Sequence, residues 1–248
     1  MHQVIHAPLP NASYSQSAAV NPVTKATGPR LDTYRPIHKA LRALMADTLL
    51  NLGRMDPQDN LELAEATNQV LVMAAACESH VKHENTFVHP AMESRAPGST
   101  AGTAREHREH LEAILDLGRA VSVLRSARQG DRDSLALALY HRVGEFVAHN
   151  FEHMYVEETV NNPLLWACFT DEELKIIHDD LLASIPPDEM MGLLRWAVPY
   201  MNATERAEVL RDIRGHVPPP AFQAVLNMAR PHLREREWDK LELALAVP

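Results

Sequence analysis

Positive charge is scarce in this chain: 24 Lys and Arg stand against 33 Asp and Glu, for a formal net charge of −9. Nucleic acids and anionic membranes both reward a basic surface, so neither is expected as a partner. Aromatic residues are few, at 5%, and there are only nine Gly in 248 residues. No stretch alternates apolar and polar residues in the manner of strands, and these shortages together favour helix throughout. The longest apolar run, Val70 to Cys77, is far too short to span a bilayer. Two cysteines, Cys77 and Cys168, cannot make a disulfide framework, and a reducing cytoplasm is the expected location. The first 24 residues contain no Lys, Arg, Asp or Glu, so the basic start of a secretory signal is missing as well.

What is present reads as an all-α chain in three parts. Residues 1–32, rich in Ser, Asn, Ala and Pro, are expected to form a tail, and His2 and His6 within it carry no chemistry. A first helix runs from about Tyr34, with Pro36 in its first turn, to Gly53, on a stripe of Leu41, Met45, Leu49 and Leu52. A second begins at Asp59, with Glu62 as capping-box partner, and its stripe is Val70, Met73, Cys77, His80, Glu84, Phe87 and Ala91.

After a loop over 94–102, a third helix opens on Thr103 with Glu106 as its capping partner. It turns His107, His110, Ile114, Leu117, Val121 and Leu124 inward. A fourth, capped by Asp131, runs to about Asn161 with Phe146, His149, His153, Glu157 and Val160 on one face. Short loops between long helices imply an up-down-up-down four-helix bundle over residues 33–168. Residues 169–248 break into shorter helices punctuated by proline, the first opened by Thr170 and Glu173. They read as a C-terminal helical extension that could hold a second copy of the chain or a protein partner. Trp166, Trp196, Tyr200 and Phe222 are its candidate anchors, with packing inside the fold as the competing role.

The chemistry lies in a pattern that occurs twice. HVKHENTFVHP (80–90) and HMYVEETVNNP (153–163) each place a Glu four residues after a His and a Pro six residues after that Glu. Positions i and i+4 share a helix face, so each copy aims an imidazole and a carboxylate at one spot. In an up-down-up-down bundle, His38, His80, Glu84, His107, His110, His153 and Glu157 all fall roughly 5 to 15 Å from the same end. Carboxylates in an otherwise apolar layer are costly unless paired, and a cation would pair them. Nitrogen and carboxylate donors without thiolate suit iron, manganese or zinc. An ordinary surface His–Glu pair is the competing explanation for either copy alone, and the duplication weighs against it.

These residues resemble the hemerythrin-like proteins, the hemerythrin HHE cation-binding domain family. The resemblance is carried by IHKAL with His38, HVKHE with His80 and Glu84, REHREH with His107 and His110, and HMYVEE with His153 and Glu157. It implies a bundle holding two iron ions bridged by oxo and carboxylate groups. His38, His80, His107, His110 and His153 would be terminal ligands, and Glu84 and Glu157 the bridges. One coordination position would stay open for O2, another small diatomic or peroxide. The implied roles are oxygen, nitric oxide, peroxide or iron sensing and handling. The alternatives are an enzyme turning over peroxide or nitric oxide, and a helical interaction protein stapled by metal.

Two spacings depart from the oxygen carriers of that family. The third-helix histidines are three apart rather than four, which leaves one of His107 and His110 as a candidate for a supporting role. The family's last carboxylate falls at Glu158, yet the four-residue spacing shared by both copies favours Glu157. His149, one turn from His153, is equally suited to ligation or to hydrogen bonding a ligand. His83 and His89 rotate away from the stripe, and His141, His178, His216 and His232 read as surface residues.

Overall fold

The computed structural model describes residues 30–246 and contains no strand among them. It is all-helical: α1 (Arg35–Arg54), α2 (Asn60–His83), α3 (His89–Arg95), α4 (Ala101–Ser126), α5 (Arg132–Val156) and α6 (Asn162–Cys168) are followed by α7 (Asp171–Ala183), α8 (Pro187–Tyr200), α9 (Ala203–His216), α10 (Pro219–Ala229) and α11 (Glu235–Ala246). No helix among the described residues is long and apolar enough to cross a membrane. Most of the tail expected over 1–32, including His2 and His6, lies outside the described residues. Arg30 and Leu31 are held firmly: the Arg30 guanidinium donates to Asp171 and to the carbonyls of Trp166 and Phe169, and Leu31 accepts from the Trp166 indole.

Helices α1, α2, α4 and α5 form a ring, with α1 and α4 each packed on both α2 and α5. Its interior is built from Met45, Val70, Met73, Leu117, Val121, Leu139 and Val143. The α4 stripe falls where the periodicity places it, with His107, His110, Ile114, Leu117, Val121 and Leu124 all buried.

The stripes of the second and fourth helices hold only as far as Glu84 and Glu157. A π-turn, Glu84–Val88, joins α2 to α3, and another, Glu157–Asn161, joins α5 to α6. The cause is the proline that follows each. Pro90 and Pro163 have no amide hydrogen, and in a continuous α-helix each ring would meet the carbonyl four residues back. The chain accommodates this by widening one turn, so that the His89 amide bonds Glu84 O and the Asn162 amide bonds Glu157 O, five residues back. The extra residue rotates everything downstream. Val88 and Met92 are therefore buried in place of Phe87 and Ala91, and Asn161 in place of Val160.

Two expected caps are absent. Helix α4 starts at Ala101, so Thr103 lies inside it and makes no box with Glu106. The preceding turn is organised instead by the Glu93 carboxylate, which accepts from the Gly98 amide and from the amide and hydroxyl of Thr100. Gly98 takes φ 83° there, a left-handed conformation that glycine adopts without strain. Asp131 precedes α5 but accepts no capping bond. Asp59 caps α2 as expected, although Glu62 turns to the Asp56 amide instead of closing the box.

The chain from α8 onward has its own core of Leu194, Val198, Leu210, Val225 and Leu241. Arg206 is buried within it and donates to the carbonyls of Val198, Pro199 and Met201, which the end of α8 leaves unpaired. Helix α8 lies along α1, with Ala197 and Met201 against Ala40. Glu205 of α9 pairs with Lys39, and Glu189 of α8 accepts from Ser79. Thr170 and Glu173 form the expected capping box on α7, and Asn202 with Glu205 forms another on α9. Leu174 of α7 joins Tyr34, Val88, Met92, Leu165 and Phe169 in a separate apolar cluster over one end of the ring. Trp166, Trp196 and Phe222 pack against these cores, whereas Tyr200 is largely exposed.

Candidate metal centre

Beneath that end cluster lies a polar layer. His38 from the start of α1, His80 and Glu84 from the end of α2, His107 from the start of α4, and His153 and Glu157 from the end of α5 converge there. Two sets emerge: His38, His80, Glu84 and Glu157 form one, and Glu84, His107, His153 and Glu157 the other, each with its donor atoms within 4.8 Å of one another. The two carboxylates belong to both.

The individual oxygens show how. Glu84 turns Oε1 to His80 Nε2 (3.3 Å) and His38 Nε2 (3.9 Å), and Oε2 to His107 Nε2 (3.2 Å). Glu157 turns Oε2 to His38 Nε2 (3.3 Å), and Oε1 to His153 Nε2 (3.1 Å) and His107 Nε2 (3.5 Å). Each carboxylate thus reaches from one pair of imidazoles to the other. Glu84 is 2% exposed and Glu157 0%.

Three outer acceptors fix the imidazoles. Glu158 Oε1 lies 2.9 Å from His38 Nδ1, Asn85 Oδ1 lies 2.8 Å from His107 Nδ1, and Glu106 Oε2 lies 2.7 Å from His153 Nδ1. An oxygen acceptor requires the N–H at Nδ1, which leaves each Nε2 with its lone pair directed inward. Two of these inward nitrogens, on His107 and His153, stand 3.0 Å apart. Facing lone pairs at that separation repel unless a proton or a cation lies between them. His38 Nε2, His80 Nε2 and all four oxygens of Glu84 and Glu157 are buried with no hydrogen-bond partner. Such a concentration of unpaired donor atoms in a dry layer is what a site able to hold metal presents.

Without metal the same layer must be balanced by protons. Burial opposes charge on His38, yet the Glu157 carboxylate close to its Nε2 and the hydrogen bond from its Nδ1 to Glu158 hold its pKa up at about 9. His153 is likewise buried, and Glu106 and Glu157 raise it to about 10. His107 also sits above its ordinary value, against the cost of burial, through Glu157 and Glu84. Glu157 is held well below the usual carboxylate range despite burial, by His107, His153 and His38. Burial dominates at His80, His89 and His110, pushing each down to about 4.

Among the sequence candidates, His38, His80, Glu84, His107, His153 and Glu157 come together. His110 is buried beside His153, ring centroids 4.8 Å apart and nearly perpendicular, but outside both sets, and its Nδ1 has no partner. Glu157 lies in both sets, while Glu158 serves His38 from outside and accepts from Arg42 at 2.6 Å. His149 is exposed, so neither role considered for it survives, and Asn150 takes the inward place. Measured from Glu157 at about 100° per residue, Asn150 lies about 20° off the inward direction and His149 about 80°.

Glu106 was expected at a helix cap and is instead the partner of His153. His89 was expected to face outward and is buried, stacked on His107 with centroids 4.8 Å apart. The π-turn that rotates α3 inward accounts for it. Of the other histidines taken as surface residues, His141, His216 and His232 are exposed and His178 is half-buried.

Glu106→Ala is expected to weaken metal binding about 10- to 100-fold with the helical fold intact, because the carboxylate is partly solvent-exposed and acts only through His153. A competition titration against a chelator measures this, and an unchanged affinity would remove Glu106 from the centre.

A family model described as hemerythrin HHE cation binding domain matches residues 30–165. No curated protein and no solved structure matches the chain.

Proposed function

Because this chain belongs to the hemerythrin HHE cation-binding domain family, we propose that it is a di-iron protein that binds O2 or a related small oxidant, in sensing or handling rather than bulk transport. The observation that supports this most directly is the sharing of Glu84 and Glu157 between two donor sets. In this reading His38 and His80 hold one ion, and His107, His153 and the adjacent His110 hold the other. Glu84 and Glu157, which belong to both donor sets, would be shared between them. The donor chemistry suits iron, manganese or zinc alike, and the choice of iron rests on the family resemblance. When bound, the ion pair supplies one-electron redox steps and a coordination position for the small ligand.

The protein's own part is orientation and dryness. Glu158, Asn85 and Glu106 hold three imidazoles at fixed tilt, and Arg42 neutralises Glu158. Apolar clusters on both sides of the layer exclude water, which strengthens electrostatic interactions there. The ring of α1, α2, α4 and α5 is read as an up-down-up-down bundle, because alternate helix ends supply the layer. Its unit is residues 33–168, with 169–248 as the extension. Buried free thiols at Cys77 and Cys168 fit a cytoplasmic protein.

Elemental analysis of protein from iron-replete cells tests the reading. About two iron atoms per chain are expected, with a near-ultraviolet charge-transfer band that changes on exposure to air. Protein without bound metal under those conditions would falsify it.

A further inference from the structure

Two ions would satisfy the unpaired atoms of His38, His80, Glu84 and Glu157 and leave a second set unexplained. Tyr34 Oη, Asn161 Nδ2 and Asn162 Oδ1 are also buried without a hydrogen-bond partner. Their residues are 1%, 3% and 1% exposed. Buried polar groups almost always find partners, so three unpaired ones beside a metal layer point to an absent ligand.

Their position is specific. Tyr34 stands one turn before His38, whose amide donates to the Tyr34 carbonyl, and its ring centroid is 5.3 Å from that of the His38 imidazole. Asn161 and Asn162 stand one turn beyond Glu157, and the π-turn lets both face inward. All three therefore lie on the outer side of the layer, under the apolar cluster of Val88, Met92, Leu165 and Leu174. The His38–His80 half offers two imidazoles, whereas the other half has His110 beside it. In the di-iron reading the His38–His80 half would have the fewer protein donors, and Tyr34 stands on that side, against the His38 ring.

Resting on the di-iron reading above, we propose that Tyr34, with Asn161 and Asn162, lines the pocket for the exogenous ligand and that the Tyr34 hydroxyl donates a hydrogen bond to it. The ligand class is a diatomic, peroxide or small linear anion with an oxygen or nitrogen acceptor. Tyr34 acts as a positioning residue and is not itself a metal ligand. The Asn161 amide lies beside the phenolic oxygen and is placed to donate to it, which leaves the Tyr34 O–H, unpartnered in the structure, to donate to the ligand.

Azide titration of iron-loaded full-length protein, followed optically, tests the proposal on wild type and Tyr34→Phe. The variant keeps the ring in its apolar surroundings and removes only an unpaired hydroxyl. Equal iron content and an equal or higher melting temperature of the metal-free protein are therefore expected, with azide bound about ten-fold more weakly, the loss of one hydrogen bond. Asn161→Ala is expected to weaken azide binding in the same direction. Equal azide affinity in wild type and Tyr34→Phe overturns the proposal. So does disappearance of a visible phenolate-to-iron band in the variant, which would make Tyr34 a ligand. Iron uptake by wild type without any azide binding defeats this inference alone, whereas failure to take up iron defeats the di-iron reading with it.

Discussion

Glu157→Gln is expected to release both ions and to destabilise the metal-free protein by about 3 to 5 kcal/mol, the usual cost of removing one partner from a buried charge cluster. The substitution preserves shape and removes charge. In the proposed loaded state this one side chain would belong to both donor sets, so each would lose a carboxylate. In the metal-free protein, His38, His107 and His153 lose the carboxylate that stabilises their protonated forms. Glu158→Gln is the natural comparison. Its carboxylate is partly exposed and touches only His38 Nδ1 and Arg42, so metal stoichiometry should survive with reduced affinity. Metal analysis and denaturant midpoints for both variants measure the contrast. A Glu157→Gln protein that still holds two ions tightly would remove the bridge from the description.

The second large effect is on pH dependence, and metal should abolish one side of it. Stripped protein is expected to be most stable near the ordinary imidazole pKa of about 6.5. Above that value an unfolded chain has shed its imidazole protons, while folded His38 and His153 keep theirs up to about 9 and about 10. The folded state then holds the extra protons, and stability falls as pH rises through this window. Below about 6.5 the unfolded chain takes up protons that buried His80, His89 and His110 refuse until about 4, so stability falls again as pH drops. Protonation of Glu157 and Glu158 extends the acid loss further, Glu158 near about 2. Loading with iron replaces protons at the inward nitrogens. The alkaline decline should vanish, and the acid decline should steepen as protons displace the ions. Denaturant midpoints across a pH series, stripped against loaded, give both curves. A stripped protein of constant stability from neutral pH to about 10 would show that the carboxylates do not hold protons on His38 and His153.

The sequence reveals most of the layer because its spacing obeys local geometry. His80 with Glu84 and His153 with Glu157 are one turn apart whatever surrounds them, and copying one pattern into two helices makes coincidence a poor explanation. What lies downstream of each Glu is hidden because a proline acts backwards along the chain. Pro90 and Pro163 are visible as part of the repeated pattern, but their effect is to widen the preceding turn. That rotation hides His89, Met92 and Asn161 from any constant-period reading. Thr103 and Glu106 satisfy a strong local capping rule, but the Glu93 carboxylate organises the preceding turn and the helix begins at Ala101, which frees Glu106 for His153. Tyr34 reads only as the residue before a helix, since nothing in its neighbours shows that it will be roofed by α7.

The outer acceptors Asn85, Glu106 and Glu158 have a kinetic consequence. They stop the three inner rings from swinging away whether or not an ion is present, so the coordination geometry is assembled as the helices pack. Refilling a chelator-treated sample then requires no refolding. Its rate is governed by how fast a hydrated ion sheds water and passes the side chains roofing the layer.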